Sequence, residues 1–154
     1  MKKTFSFLLI LLGLNLIAQK NSTTTFYTID FKDPKSVVNA VFYGAKERNL
    51  DVLRGICDPL NKNDVDTKNI CTIIENQEIA TTKEQKNAAQ ENTNSFILKF
   101  ETGKITGDVT FRKNEDGSEY ADVPVWLNTE IGQGRNDVVI VLIKRFGNWY
   151  LYDM

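Results

Sequence analysis

The chain contains two cysteines and no histidine, and this composition limits the chemistry it can perform. Without histidine, a serine–histidine triad, a cysteine–histidine pair and a histidine-held metal are all excluded. Cys57 and Cys71 alone cannot complete a standard zinc site. Both follow an export signal described below, so we expect them to meet an oxidising compartment, where an even number of cysteines favours a disulfide. The alternative is a pair of buried free thiols.

Oxygen-bearing side chains are concentrated in one polar loop, at Asn61, Asn63, Asp64 and Asp66. An EF-hand loop alternates its ligands and has a glycine at its sixth position and a bidentate glutamate at its twelfth. This loop lacks the glycine, and Val65 stands where the alternation requires a ligand. We therefore interpret it as a solvated loop and predict neither a metal site nor a cofactor.

Two acids, Asp108 and Asp122, are the candidates for catalysis near the predicted strands. A catalytic carboxyl of this kind needs apolar surroundings that raise its pKa. The strand alternation places both acids on the polar face, so we predict no catalytic residue.

Three aromatic residues, Trp126, Tyr150 and Tyr152, are predicted to lie on the outer face of a sheet. Aromatic side chains favour interfaces because they bury a large area at little entropic cost. They form a candidate interaction surface for a homodimer, a protein partner or a small apolar ligand. The alternative is that they pack across neighbouring strands. The basic pair Lys144-Arg145 is predicted to be solvated at a strand end.

The N-terminus has the three parts of a secretory signal peptide. Lys2 and Lys3 precede an apolar run from Phe5 to Ile17, and Ala18 offers a small residue for cleavage. The run is shorter than the roughly 20 residues of a membrane-spanning helix, so we expect no stable membrane anchor. A retained anchor is the alternative, because Leu16 is larger than the usual residue at that position. The signal predicts a bacterial protein exported to the periplasm or secreted.

The chain divides into a signal peptide at 1–18, a polar, threonine-rich flexible leader at 19–25 and a single domain at 26–154. Removing residues 1–18 takes away two lysines and no acids, which leaves 17 basic and 20 acidic residues and a net charge of −3. The remaining 136 residues suffice for one hydrophobic core. Since no basic stripe is present, we expect no nucleic-acid binding.

Helices are predicted in the first half of the domain. Asp33-Pro34 opens a helix as N-cap and first residue. An apolar stripe follows at helical spacing, formed by Val37, Val38, Val41, Phe42 and Ala45. Further short helices are predicted near 50–56 and 70–74, and Thr82 with Gln85 forms a capping box for a polar helix through about Gln90.

Strands are predicted in the second half, at 96–100, 105–111, 121–127, 138–143 and 149–152, with turns at Asp116-Gly117 and Gly147-Asn148. Gly107 indicates a bulge or bend, and Pro124 indicates an edge strand or a bulge. The continuous apolar run Val138 to Ile143 is predicted to be covered on both faces. Helices followed by an antiparallel meander indicate an α+β domain, with the helices on one side of a curved sheet.

Three stretches carry a resemblance to a known family. They are Asp33 to Val38 running into Asn49 to Leu53, Cys57-Asp58-Pro59 with Cys71, and the ending Val139 to Tyr152. In these the chain resembles small exported bacterial domains of unknown function in the nuclear transport factor 2-like superfamily. The resemblance implies a cone-like, cystatin-like roll, in which a strongly curved antiparallel sheet wraps around the first helix. The superfamily includes isomerases, cyclases, dehydratases, ligand carriers and interaction modules, so the fold alone does not indicate an activity.

The sequence predicts an exported, non-enzymatic domain that binds a protein partner or a small apolar molecule. The core-facing stripe of the first helix is apolar throughout, which favours this interpretation over catalysis. The alternative is a small isomerase, cyclase or hydratase that uses an acidic residue inside the cone. An accessory or inhibitory subunit of a cell-surface assembly is a third interpretation.

Overall fold

The computed structural model of the protein describes residues 27–60, 69–128 and 135–154. The predicted signal peptide, leader, 61–66 loop and 131–134 loop lie outside the described residues. Helices precede strands in the described part, in the order α1 (Pro34–Lys46), α2 (Leu50–Gly55), α3 (Ile70–Ile79), α4 (Lys83–Phe100), β1 (Lys104–Ile105), β2 (Thr110–Lys113), β3 (Glu119–Leu127), β4 (Arg135–Arg145) and β5 (Asn148–Asp153). The α+β class is therefore confirmed, and the sheet is not closed. No helix in these ranges is both long and apolar enough to cross a membrane.

The first helix begins and packs as its sequence predicts. The Asp33 carboxylate accepts a hydrogen bond from the Lys35 amide at 2.9 Å, and Pro34 is the first helical residue. All five residues of the predicted apolar stripe are buried. Gly44 is buried as well. A Cβ atom at this position would lie only 2.6 Å from the Leu53 Cγ atom, which is too close for any larger residue without a shift. This small residue lets α2 pack closely against α1.

The predicted strand at 96–100 is wrong, because these residues form the C-terminal end of α4. The capping box of Thr82 and Gln85 is present, and the helix continues from it well beyond Gln90. Phe96 and Phe100 stack with ring centroids 4.3 Å apart, and both are buried. Residues at i and i+4 share one face of a helix, and they also share one face of a strand. The spacing of Phe96 and Phe100 is therefore compatible with a helix as well as with a strand.

The sheet is antiparallel throughout, with the order β1-β3-β4-β5 and with β2 also paired to β3. β1 and β2 lie on the same side of β3 and are separated by a bend that contains Gly107. A Cβ atom at Gly107 would lie 2.8 Å from the Pro124 Cγ atom, and the Thr106 amide donates to the Pro124 carbonyl at 2.9 Å. Pro124 thus faces the gap between β1 and β2. The bend is confirmed. Of the two alternatives expected at Pro124, the edge strand is wrong because β3 is internal, but the register of β3 against β4 does shift nearby, between Val125 and Leu127.

The inner face of the sheet is covered by α1, which contacts β1, β3 and β5. The alternate residues 121, 123, 125 and 127 of β3 have no exposed surface, and neither have Ile140 and Leu142 of β4. On the outer face of β4, Ile143 is buried but Val139 is 43% exposed. The prediction that the apolar run is covered on both faces is therefore wrong at Val139.

Candidate functional site

The Cys57–Cys71 disulfide joins the end of α2 to the first turn of α3, with the two Cα atoms 5.8 Å apart, and it confirms the predicted pairing. The segment that carries Cys57 lies beside β5, because the Leu151 amide donates to the Ile56 carbonyl at 2.7 Å and Cys57 forms a parallel bridge with Leu151. The disulfide therefore links the first turn of α3 covalently to the segment that lies beside the edge of the sheet.

The same segment places a buried acid against the end of β4. The Asp58 side chain has no exposed surface, and Arg145 donates to it from Nε at 3.2 Å and from Nη2 at 3.1 Å. The Leu60 amide also donates to the Asp58 Oδ1 atom, at 3.0 Å. The Arg145 side chain is only 16% exposed. The prediction that Arg145 is solvated is thus wrong, because the disulfide segment covers it with an opposite charge.

Lys144 is also engaged in an ion pair. Its Nζ atom lies 2.6 Å from the Glu119 carboxylate, and it lies 5.4 Å from the centre of the Trp149 ring. The hydrogen bond from Lys144, together with the positive charges of Lys144 and Lys113, lowers the pKa of the Glu119 carboxyl. The ionised form of Glu119 is therefore favoured in the folded protein.

Replacing Lys144 with methionine is expected to raise the pKa of Glu119 towards its ordinary value. Because folding lowers this pKa, ionised Glu119 stabilises the fold at pH values above the ordinary glutamate pKa. That contribution is lost as the pH falls through the lower, folded value. Carboxyl ¹³C chemical shifts followed through a pH titration measure the change. Lys83→Met, at an exposed position of α4, is the control and should leave the Glu119 titration unmoved.

Two open grooves lie at one end of the sheet, which we call the hairpin end. It is formed by the β2–β3 turn (residues 114–118) and the β4–β5 turn (residues 146–147). The larger groove, of about 500 Å³, has aromatic walls formed by Phe111, Tyr120 and Trp149, with Arg112 and Lys113 at its rim. The smaller, of about 420 Å³, lies between the two turns. The Glu119–Lys144 pair borders both grooves.

The structure does not bring the three predicted aromatic residues together. Tyr152 lies edge-on to Tyr120 with ring centroids 5.3 Å apart, and Tyr150 lies 5.3 Å from Phe31. Trp126 is half-buried, six residues along β3 from Tyr120, which is about 20 Å in an extended strand. Its ring is instead 5.5 Å from the Lys104 Nζ atom. Tyr152 thus packs against a residue of β3, Tyr150 packs against the segment that precedes α1, and Trp126 lies apart from both.

The two candidate catalytic acids form ion pairs at the protein surface. Asp108 is fully exposed and lies 3.6 Å from the Lys35 Nζ atom. Asp122 lies on the outer sheet face and pairs with Arg112 at 3.1 Å. Among the described residues, no group of three or more acids and cysteines is placed to hold a metal ion.

The buried polar side chains of the described ranges serve the fold. Asn69 caps α3 and donates to the Tyr152 carbonyl at 3.1 Å. Thr93 donates to the Ala89 carbonyl at 2.8 Å. Every buried side-chain nitrogen and oxygen atom in these ranges has a hydrogen-bond partner. None of them is an unsatisfied group that would point to a ligand.

No family model matches the chain, and no curated protein is significantly similar to it.

Proposed function

We propose that the chain is an exported, non-enzymatic binding domain that recognises a protein partner through the outer face of its sheet. The observation that carries the proposal is the exposure of apolar side chains on this face. Val139 is 43% exposed, and Pro124, Trp126 and Val141 are half-buried. Pro124 and Val139 are directly opposed across β3 and β4, so these side chains form a continuous surface. Exposed contiguous apolar surface is typical of interaction sites.

The shape of this surface favours a protein partner over a small molecule. Small-ligand sites are concave and enclose most of the ligand. The outer face of β3 and β4 is instead an open strand surface, bordered by Lys104 near Trp126 and by the Arg112–Asp122 ion pair. An apolar centre with a charged rim is the usual anatomy of a protein interface.

The interior supports binding rather than catalysis. The side chains of α1 that face the sheet are apolar and buried, and so are the opposing residues of β3 and β4. An isomerase, cyclase or hydratase of the cone type needs an enclosed acid, and apolar side chains occupy the space between α1 and the sheet. The disulfide supports export, since disulfides persist mainly in oxidising compartments.

Site-specific photo-crosslinking in the intact cell tests the proposal. A photoreactive phenylalanine analogue at position 139 is expected to give one adduct of defined mass, and Trp126→Ala should abolish it without changing the melting temperature. The control is the same analogue at Leu98, which is 59% exposed on α4. A homodimer through this face would appear as an adduct of twice the chain mass. Equal labelling at positions 98 and 139, or no adduct at 139, would refute the proposal.

A further inference from the structure

Phe146 is unusual in its backbone conformation and in the exposure of its side chain. It is the first residue of the two-residue turn between β4 and β5, where Arg145 and Asn148 are paired. Its φ is 51° and that of Gly147 is 77°, so both positions have the positive φ of a type I′ turn, which favours asparagine, aspartate or glycine. A bulky side chain is strained in this region. The side chain is also 81% exposed, more than any other large hydrophobic residue of the described ranges.

Three side-chain contacts anchor the turn that contains Phe146 and the residues just before it. Arg145 is bound by the buried Asp58, and Lys144 by Glu119. The Lys32 Nζ atom donates to the Gly147 carbonyl at 2.9 Å. These contacts fix the backbone on both sides of Phe146 while its ring stays in solvent. On a backbone held in this way, an exposed phenylalanine loses only its two side-chain rotations on binding, which suits an interface anchor.

A surface that can receive this ring lies at the same end of the sheet. The larger groove of the hairpin end has about 500 Å³ and is walled by aromatic residues. In it Phe111 is 62% exposed, and its ring centroid lies 5.6 Å from that of Trp149. The exposed Phe111 ring gives this open groove an apolar surface on which a second phenyl ring can stack.

We propose that two copies of the chain associate through their hairpin ends, with Phe146 of each copy in the groove of the other. A two-fold axis makes such a contact reciprocal, because anchor and groove lie at the same end of one molecule. The charged residues at the hairpin end would be complementary between the two copies. Lys113 lies at the groove rim, and Glu115 and Asp116 lie on the turn that neighbours the turn of Phe146. This contact leaves Pro124, Trp126 and Val139 on the outer sheet face free and does not depend on the function proposed above.

The replacement of Phe146 by asparagine tests the proposal directly. Sedimentation or light scattering of the purified protein should give twice the chain mass, and Phe146→Asn should weaken association at least tenfold. The same variant is expected to melt at a higher temperature when monomeric, because asparagine accepts the positive φ. A purely structural role for Phe146 would instead lower the melting temperature and leave association unchanged.

Charge reversal gives a second, independent test. Lys113→Glu and Glu115→Lys should each weaken self-association, and an equimolar mixture of the two variants should associate more strongly than either alone. Trp126→Ala is the control and should leave the mass unchanged. A wild-type protein that stays monomeric up to about 1 mM would overturn the proposal, as would a Phe146→Asn variant that remains dimeric.

Discussion

Replacing Arg145 with methionine is expected to lower the free energy of unfolding by about 3–5 kcal/mol. The Asp58 carboxylate has no exposed surface and receives hydrogen bonds from Arg145 Nε and Nη2. Without Arg145, the buried Asp58 carboxylate loses an ion pair with a largely buried partner, which is far more destabilising than the loss of an exposed pair. Urea denaturation measures the change, provided that the slope of free energy against urea stays the same.

Two further variants separate this effect from the general cost of removing an arginine. Arg112→Met breaks the Arg112–Asp122 pair, in which both side chains are partly exposed, so we expect a loss of at most about 1 kcal/mol. Asp58→Asn combined with Arg145→Met should recover part of the stability, because both charges of this ion pair are then removed together. Equal losses for Arg112→Met and Arg145→Met would contradict the assignment of a buried pair.

Much of the local structure was predictable because its signals lie within a few residues of one another. The Asp33 cap, the Thr82–Gln85 capping box and the two glycine turns each require contacts over four residues or fewer. The second turn is displaced by one residue from its predicted position, because it consists of Phe146 and Gly147 and Asn148 is the first residue of β5. The alternation of β3 was equally local, since residues 121–127 face the core at every second position. Such signals depend on backbone geometry and not on what the element packs against.

The misassigned stretch at 96–100 shows where periodicity fails. Phe96 and Phe100 suit either a helix or a strand, and only their neighbours separate the two. The stretch between the capping box and Phe100 contains neither glycine nor proline, so nothing ends the helix that begins at Lys83. That continuity was a usable signal for a single helix of 18 residues.

The site depended on contacts that no local pattern contains. Asp58 and Arg145 are 87 residues apart and meet only because the Cys57 segment lies beside β5. For Trp126, Tyr150 and Tyr152, the alternation predicts a face of the sheet but not a distance along it. Trp126 therefore lies far from the two tyrosines although all three were predicted to share one surface.

Removing the Cys57–Cys71 disulfide is expected to destabilise the protein by about 3 kcal/mol, the value of the chain-entropy model for a loop of about 15 residues. The two cysteines are 14 positions apart in sequence. Cys57→Ala with Cys71→Ala avoids leaving a free thiol, and its unfolding is compared with that of the wild type with and without reductant. Reductant should lower the melting temperature of the wild type only. Equal stability of the variant and the oxidised wild type would contradict a stabilising role.

The disulfide and the Asp58–Arg145 pair should also be coupled, because Asp58 follows Cys57 directly in the segment beside β5. If the disulfide holds this segment in place, its removal gives Asp58 access to water. Arg145→Met should then destabilise the cysteine-free variant less than it destabilises the wild type, with an interaction energy above the roughly 0.5 kcal/mol expected for independent sites. Additive losses would mean that the β5 contacts alone keep Asp58 buried. The double-mutant cycle therefore decides whether the oxidised disulfide is needed to keep the ion pair out of water.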